Sequence, residues 1–216
     1  MRLISLFLLA AIASGGCAQS QSPEVPESQT VSLFDGVSLN GWTPVDPADS
    51  GYWSVQDSLI TGGDGASLVP KNTYLRTEQE FGDFELRCLF RLSGDPATGF
   101  INSGIQYRSF VSDGDIVGYQ ADIGNGHWGD LYDEHRRALL VKGDLSTLQR
   151  VLRDGEWNTY IVRVRGNHHE LYINGVKTCD YTEKDPDVPS RGVIAIQLHS
   201  GGAARIQVRD ITITTF

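Results

Sequence analysis

The chain has 216 residues, a net charge of −9, 24 glycines and one methionine. Once its ends are set aside, that length suits one domain with a sizeable core and is short for two. No basic tract is present that could neutralise a run of phosphates, which argues against nucleic acid as a partner.

Met1 and Arg2 precede LISLFLLAAIA, an apolar run of about 11 residues that fits a signal-peptide core and is too short for a permanent membrane span. Small residues, SGG, then lead into Cys17. The stretch resembles a bacterial lipobox, in which the cysteine becomes the lipidated mature N-terminus, although Ser14 stands where an aliphatic residue is usual. Residues 1–17 are read as an export signal, 18–30 as a Pro/Ser/Gln tether and 31–216 as the folded domain. The expected location is the periplasm or outer membrane, with membrane attachment by the lipid anchor alone.

From Val31 onward the apolar residues recur with period two. In DFELRCLFRL, Phe84, Leu86, Cys88, Phe90 and Leu92 alternate with Glu85, Arg87 and Arg91. This phase makes Cys88 a buried small hydrophobe, and counting alone leaves a bridge from Cys88 to Cys179 open. TYIVRVRG, ELYING, GVIAIQLHS and RIQVRDITI continue the alternation, and Asn174-Gly175 between two such runs signals a hairpin. LSTLQRVL is the only helix-like stretch. Many short strands without a blade-length repeat predict an all-β, two-sheet antiparallel jelly-roll sandwich.

Three segments depart from an oily face backed by a solvated one. Gln106 and Arg108 in SGIQYRS, Gln120 and Asp122 in GYQADI, and Gln197 and His199 in VIAIQLHS each sit two apart, on the face opposite the core. Residues with specific hydrogen-bonding chemistry at these positions suggest a face built to hold a ligand, against the ordinary alternative of a polar sheet surface with locally paired side chains. Downstream, Trp128, Tyr132, Glu134 and Arg137 follow glycines at 124, 126 and 129 and are read as a loop closing over that face.

LFDGVSLNGW, FGDFELRCLFRL, NSGIQYR, GYQADI, LYDE, GEWNTYIVRVRGN, YINGV, IAIQLHSGG and VRDITI, in this order from Leu33 to Phe216, resemble the bacterial 3-keto-disaccharide (3-keto-glycoside) hydrolase family, DUF1080. The resemblance implies a concanavalin A-like lectin/glucanase jelly roll and cleavage of the glycosidic bond of a sugar oxidised at C3. Two positions depart from the family pattern. Gln120 and Asp122 stand where many relatives carry Glu and Gln, and IQYR replaces an aromatic-rich IFFR, so a role given to that Glu does not transfer.

A C3 ketone acidifies the C2 proton, so the protein must supply a base near C2, donors to the enolate oxygen and an acid for the leaving oxygen. His199, Glu134 and Asp122 are the candidate catalytic groups. Gln106, Arg108, Gln120, Trp128, Tyr132, Arg137 and Gln197 are the candidate substrate-binding residues. Each has a structural competitor. Glu134, Arg136 and Arg137 could form a surface ion-pair cluster, His199 could cap a strand end, and Trp128 and Tyr132 could pack under the loop. His168 and His169, beside a hairpin, are expected to be exposed. A divalent cation on Asp122, Glu134 and His199 stays an open option without a spacing motif behind it. The rival function is a non-catalytic carbohydrate-binding module of the same fold. A retaining glucanase, which wants two carboxylates roughly 5–5.5 Å apart, is disfavoured because Glu85 is alone and Gln120 replaces an acid beside Asp122.

Overall fold

The computed structural model describes residues 28–216, so the export signal, Cys17 and most of the tether lie outside the described residues. The strands are β1 (Gln29–Ser32), β2 (Trp42–Pro44), β3 (Trp53–Gln56), β4 (Leu59–Gly62), β5 (Thr73–Phe81), β6 (Phe84–Gly94), β7 (Asn102–Ser112) and β8 (Asp115–Gly124). They continue as β9 (Leu131–Glu134), β10 (Ala138–Val141), β11 (Asn158–Arg165), β12 (His168–Ile173), β13 (Val176–Thr182), β14 (Gly192–Leu198) and β15 (Ala204–Thr215). A single turn of helix, α1 (Leu145–Leu148), lies where LSTLQRVL suggested one. Strand β1 pairs with β15 from Gln29 onward.

All strand pairs are antiparallel, and they form two sheets. One is eight-stranded, in the order β13-β12-β11-β6-β15-β4-β3 with β1 also on β15; the other is seven-stranded, in the order β10-β9-β8-β7-β14-β5-β2. The expected all-β, two-sheet sandwich is the observed fold.

Period-two alternation supplies the layer between the sheets. Phe84, Leu86, Cys88, Phe90 and Leu92 of β6 are buried there with Val162 and Val164 of β11 and Ile206 and Val208 of β15. From the other sheet come Ile105, Ala121, Ile123, Leu131, Ile194 and Ile196. Each such aliphatic or aromatic side chain contributes about 1.5–3 kcal/mol by leaving water. Cys88 and Cys179 are free and buried, and burial pushes both thiols up to about 12, so the bridge left open by counting is not made. At the β12–β13 hairpin, Asn174 and Gly175 both have positive φ, as a two-residue turn of matching twist requires.

Strand phase corrects one exposure expected from sequence. His168 is partly exposed, whereas His169, in step with Leu171 and Ile173, is fully buried between the sheets. Its Nδ1 lies 3.0 Å from the Tyr107 hydroxyl and its ring packs edge-on against Tyr119. Burial lowers its pKa to about 3, so it is neutral at physiological pH.

A bulge in β7 corrects another. The β7–β8 register shifts between Tyr107 and Phe110, leaving Arg108 with φ of 47°, and the side chain turns off the Gln106 face. Gly118 and Gly192 flank the bulge, and a Cβ on either would collide with Ser109. Arg108 is buried, donating to the carbonyls of Gly82 and Gly166 and to the Asp83 carboxylate at 2.7–2.9 Å. It ties the β5–β6 and β11–β12 turns together. Arg108→Ala leaves two carbonyls unpaired and a void; the expected result is a loss of about 2–4 kcal/mol, read as a lower urea midpoint at unchanged m.

Candidate active site

On β8, Tyr119, Ala121 and Ile123 point into the core, which places Gln120 and Asp122 on the outer face of the seven-stranded sheet. The register sets Gln120 between Gln106 of β7 and Tyr132 of β9, and Asp122 opposite Gly104, which in turn faces Gln197 of β14. Gly104 is there for space, since a Cβ at that position would come within 2.6 Å of the Gln120 side chain.

Gln106, Gln120, Asp122 and Gln197 are all buried, so each polar group needs a partner. Ser109 Oγ donates to Gln106 Oε1 at 3.3 Å, Gln106 Nε2 to Gln120 Oε1 at 2.6 Å, and Gln120 Nε2 to Asp122 Oδ1 at 2.7 Å. Donors and acceptors alternate along this row. Asp122 Oδ1 therefore accepts, and a proton on this carboxyl belongs on Oδ2.

Above the row is a cavity of about 160 Å³ lined by Phe100, Asn102, Gln120, Asp122, His127, Tyr132, Glu134 and His199. Tyr132 and Glu134 reach it because they alternate with the buried Leu131 and Asp133 along β9. His127 and His199 both pack edge-on against Phe100, with ring centroids 5.9 and 4.8 Å away. His199 Nδ1 lies 2.7 Å from the Ser200 carbonyl, which can only accept, so Nδ1 carries the proton and Nε2 has a free lone pair. His127 Nδ1 is 3.0 Å from Asp130 Oδ2.

The charges are set against one another. Burial raises Asp122 well above the ordinary carboxylate value, the Gln120 hydrogen bond opposes this, and the Asp130 and Glu134 carboxylates raise it further. Glu134 is also raised, by burial first, with His135 opposing and Asp115 and Asp133 adding to it. Burial lowers His199, the Ser200 carbonyl only partly offsetting it. One cavity thus holds a carboxyl biased toward its protonated form beside an imidazole biased toward its neutral form, the pairing that separates acid from base.

The structure brings together Asp122, Glu134, His199, Gln120 and Tyr132, with Gln106 and Gln197 buried beneath them. It separates three others. Arg108 is carried away by the bulge. Trp128 is buried and packs on Phe90 at 6.2 Å, because successive side chains of the loop point oppositely and His127 takes the cavity side. Arg137 bonds Asp133 and, bidentately, Glu183 at 3.0 and 2.7 Å, over the Tyr119 ring. Residues 128–137 are also not one loop: a turn with positive φ at Gly124, Gly126 and Gly129 leads straight into β9. Phe100, Asn102 and His127 were not singled out from sequence. At this cavity the side chains close enough to share a cation are, among the described residues, Asp122, His127 and Asp130, rather than Asp122, Glu134 and His199; the Lys142 ammonium already sits 2.8 Å from Asp130.

Asp122 gives a stability test. Its proton is held more tightly folded than unfolded, so stability falls as pH rises from the ordinary carboxylate value toward the folded one. Asp122→Asn, which keeps an acceptor for Gln120, is expected to melt higher than the parent at pH 8 and to match it below about pH 3.5, where Asp is protonated in both states. A thermal melt at each pH checks this.

No match is found among curated proteins. Among solved structures, the chain is similar to a candidate glycosyl hydrolase from Parabacteroides distasonis ATCC 8503, at 17% identity and TM-score 0.64, covering 87% of this chain and 94% of that one. It is similar to the carbohydrate binding module CBM66 from Bacillus subtilis at 16% identity and TM-score 0.59, covering 81% and 96%. A Bacillus subtilis protein with a galectin-like fold matches at 10% identity and TM-score 0.60, covering 82% and 91%. At these identities the likeness is one of fold. A family model matches residues 29–214, nearly everything the structure describes, and on that match the chain belongs to the 3-keto-alpha-glucoside-1,2-lyase-like domain family.

Proposed function

We propose that the domain cleaves the glycosidic bond of 3-keto-glycosides by elimination and then hydration. The observation that carries this is one cavity that holds a buried carboxyl with Oδ2 free and an imidazole with Nε2 free, burial raising the Asp122 pKa and lowering that of His199, with a family match pointing to the same chemistry. His199 Nε2 takes the C2 proton. The C2–H electrons move into a C2–C3 enolate, with the negative charge on the former ketone oxygen. The charge returns to remake the ketone as the C1–O bond breaks, giving a C1–C2 double bond, and the departing oxygen takes the proton of Asp122 Oδ2. Water then adds: Glu134 draws its proton as the hydroxyl bonds to C1, protonated His199 gives a proton to C2, and the proton on Glu134 passes to the Asp122 carboxylate, which restores all three groups. The sum is hydrolysis to the free 3-keto sugar.

Gln120 and Asn102 offer both donors and acceptors to ring hydroxyls and the enolate oxygen. The rival reading, a binding module, needs stacking aromatics but no acid or base; Trp128, its best stacking candidate, does not line the cavity that holds Asp122 and His199.

The test is release of the aglycone from a 3-keto-glucoside and from its unoxidised parent. Only the oxidised substrate should be cleaved, and with the reaction run in heavy water the sugar product should carry deuterium at C2. His199→Ala and Glu134→Gln should each lower turnover by at least about a hundredfold. The rate should rise with pH at a value below the ordinary imidazole 6.5 and fall as Asp122 ionises, with the acid limb missing in His199→Ala. Near-normal rates in both variants would overturn the assignment of His199 and Glu134, and tight binding of the unoxidised sugar without cleavage of either compound would replace the enzyme by a lectin.

A further inference from the structure

Behind the cavity, across one thickness of chain, lies a larger and more apolar groove of about 570 Å³ at the same end of the sandwich. Its walls are Leu92, Pro96, Ile101, Trp128, Leu145 and Leu152. The two spaces share a partition. Asn102 and His127 face the cavity, while their chain neighbours Ile101 and Trp128 face the groove. The top of the partition is Gly124-Asn125-Gly126, where Asn125 and Gly126 are exposed and a Cβ on Gly126 would meet open space. A group attached to a sugar in the cavity would cross this rim at Gly126, which carries no side chain and whose carbonyl accepts from the Lys142 ammonium.

We propose that the groove is the leaving-group subsite and that the preferred substrates are 3-keto-glycosides of flat, apolar, ring-containing alcohols. This rests on the proposed elimination and extends it to the aglycone. The groove has the volume and predominantly apolar lining of a small-molecule site. Its floor is the indole of Trp128, held rigid by Phe90 and so presenting a fixed aromatic surface. A hydrophilic second sugar would leave its hydroxyls unpaired against Leu92, Ile101 and Leu152. The elimination itself asks little of the aglycone, since the ketone activates C2 whatever leaves C1, so this groove is where selectivity can arise.

The test compares ethyl and 2-(2-naphthyl)ethyl 3-keto-glucosides, whose leaving alcohols have closely similar acidity. The naphthylethyl compound should show a kcat/KM at least about tenfold higher, as expected for an apolar group that fills a pocket. Leu145→Glu, at an exposed position of the groove, should bring the ratio close to one by lowering the naphthylethyl value more than the ethyl value; Leu152→Glu, which is half-buried, is the second variant. Independently of turnover, 2-naphthylethanol should quench tryptophan fluorescence in the parent and bind at least about fivefold more weakly to Leu145→Glu. Equal kcat/KM for the two glycosides, with Leu145→Glu affecting both alike, would overturn the subsite and leave the elimination standing. Cleavage of neither glycoside would overturn the elimination, and the fluorescence titration would still decide whether the groove takes an aromatic alcohol.

Discussion

The site depends on a buried carboxyl whose side-chain hydrogen bond comes from a neutral amide of fixed direction, with the Asp130 and Glu134 carboxylates nearby. Asp122 sits at the end of a row in which Ser109, Gln106 and Gln120 each donate to the next, and no side-chain cation bonds it. An arginine in place of Gln120 would hold the carboxylate ionised and end its use as an acid. A neutral amide fixes the rotamer and names the oxygen that carries a proton, while leaving the affinity for that proton high.

That row demands strict strand register, and the bulge shows how locally register is controlled. Up to Tyr107 the alternation of β7 matches β8 residue for residue, which keeps Gln106 opposite Gln120. Past it, Arg108 and Ser109 are accommodated between two glycines, and the strand delivers a cation to the far end of the sandwich instead of to the cavity. One strand thus serves two ends: a neutral amide network under the cavity, and an ion-paired network of Arg108, Asp83, Arg137, Glu183 and the buried Tyr119 at the other. The separation keeps guanidinium charge away from Asp122, where it would hold the carboxylate ionised.

Period-two alternation made the sandwich legible in the sequence, along with the burial of Cys88 and the shared face of Gln106, Gln120, Asp122 and Gln197, because each depends on strand phase alone. Arg108 was lost to a bulge, whose only trace in the sequence is the pair Gly118 and Gly192, far apart along the chain. His169 was readable: it is in step with Leu171 and Ile173, and its proximity to a hairpin was given more weight than its phase. Phe100 and His127 were not readable, since they come from turns at strand ends whose direction is set by tertiary packing and carries no periodicity, whereas Asn102 opens β7 in phase with Gln106 and was readable. Trp128 and Arg137 were misplaced for a related reason. Residues 131–134 were read as loop because four residues are too few for the alternation Leu131-Tyr132-Asp133-Glu134 to stand out.

The turn from Gly124 to Asp130 converts that fold into a functional boundary. Its hydrogen bonds, Gly129 N–H to Asp122 carbonyl and Asp122 N–H to Asp130 carbonyl, clamp both ends to the strand that carries the acid. Asp130 is in turn held by Lys142 and by the backbone N–H of Gly143 at 2.8 Å. With its ends fixed, the turn has one freedom left, which is the face each side chain takes, and the glycines at 124, 126 and 129 settle it by allowing His127 and Trp128 to point oppositely. The imidazole completes a polar cavity and the indole walls an apolar groove. Any change that rotated this turn by one residue would exchange the two, putting an apolar ring beside Asp122 and an imidazole against Phe90. The same backbone conformation therefore fixes which side of the partition is polar and which is apolar.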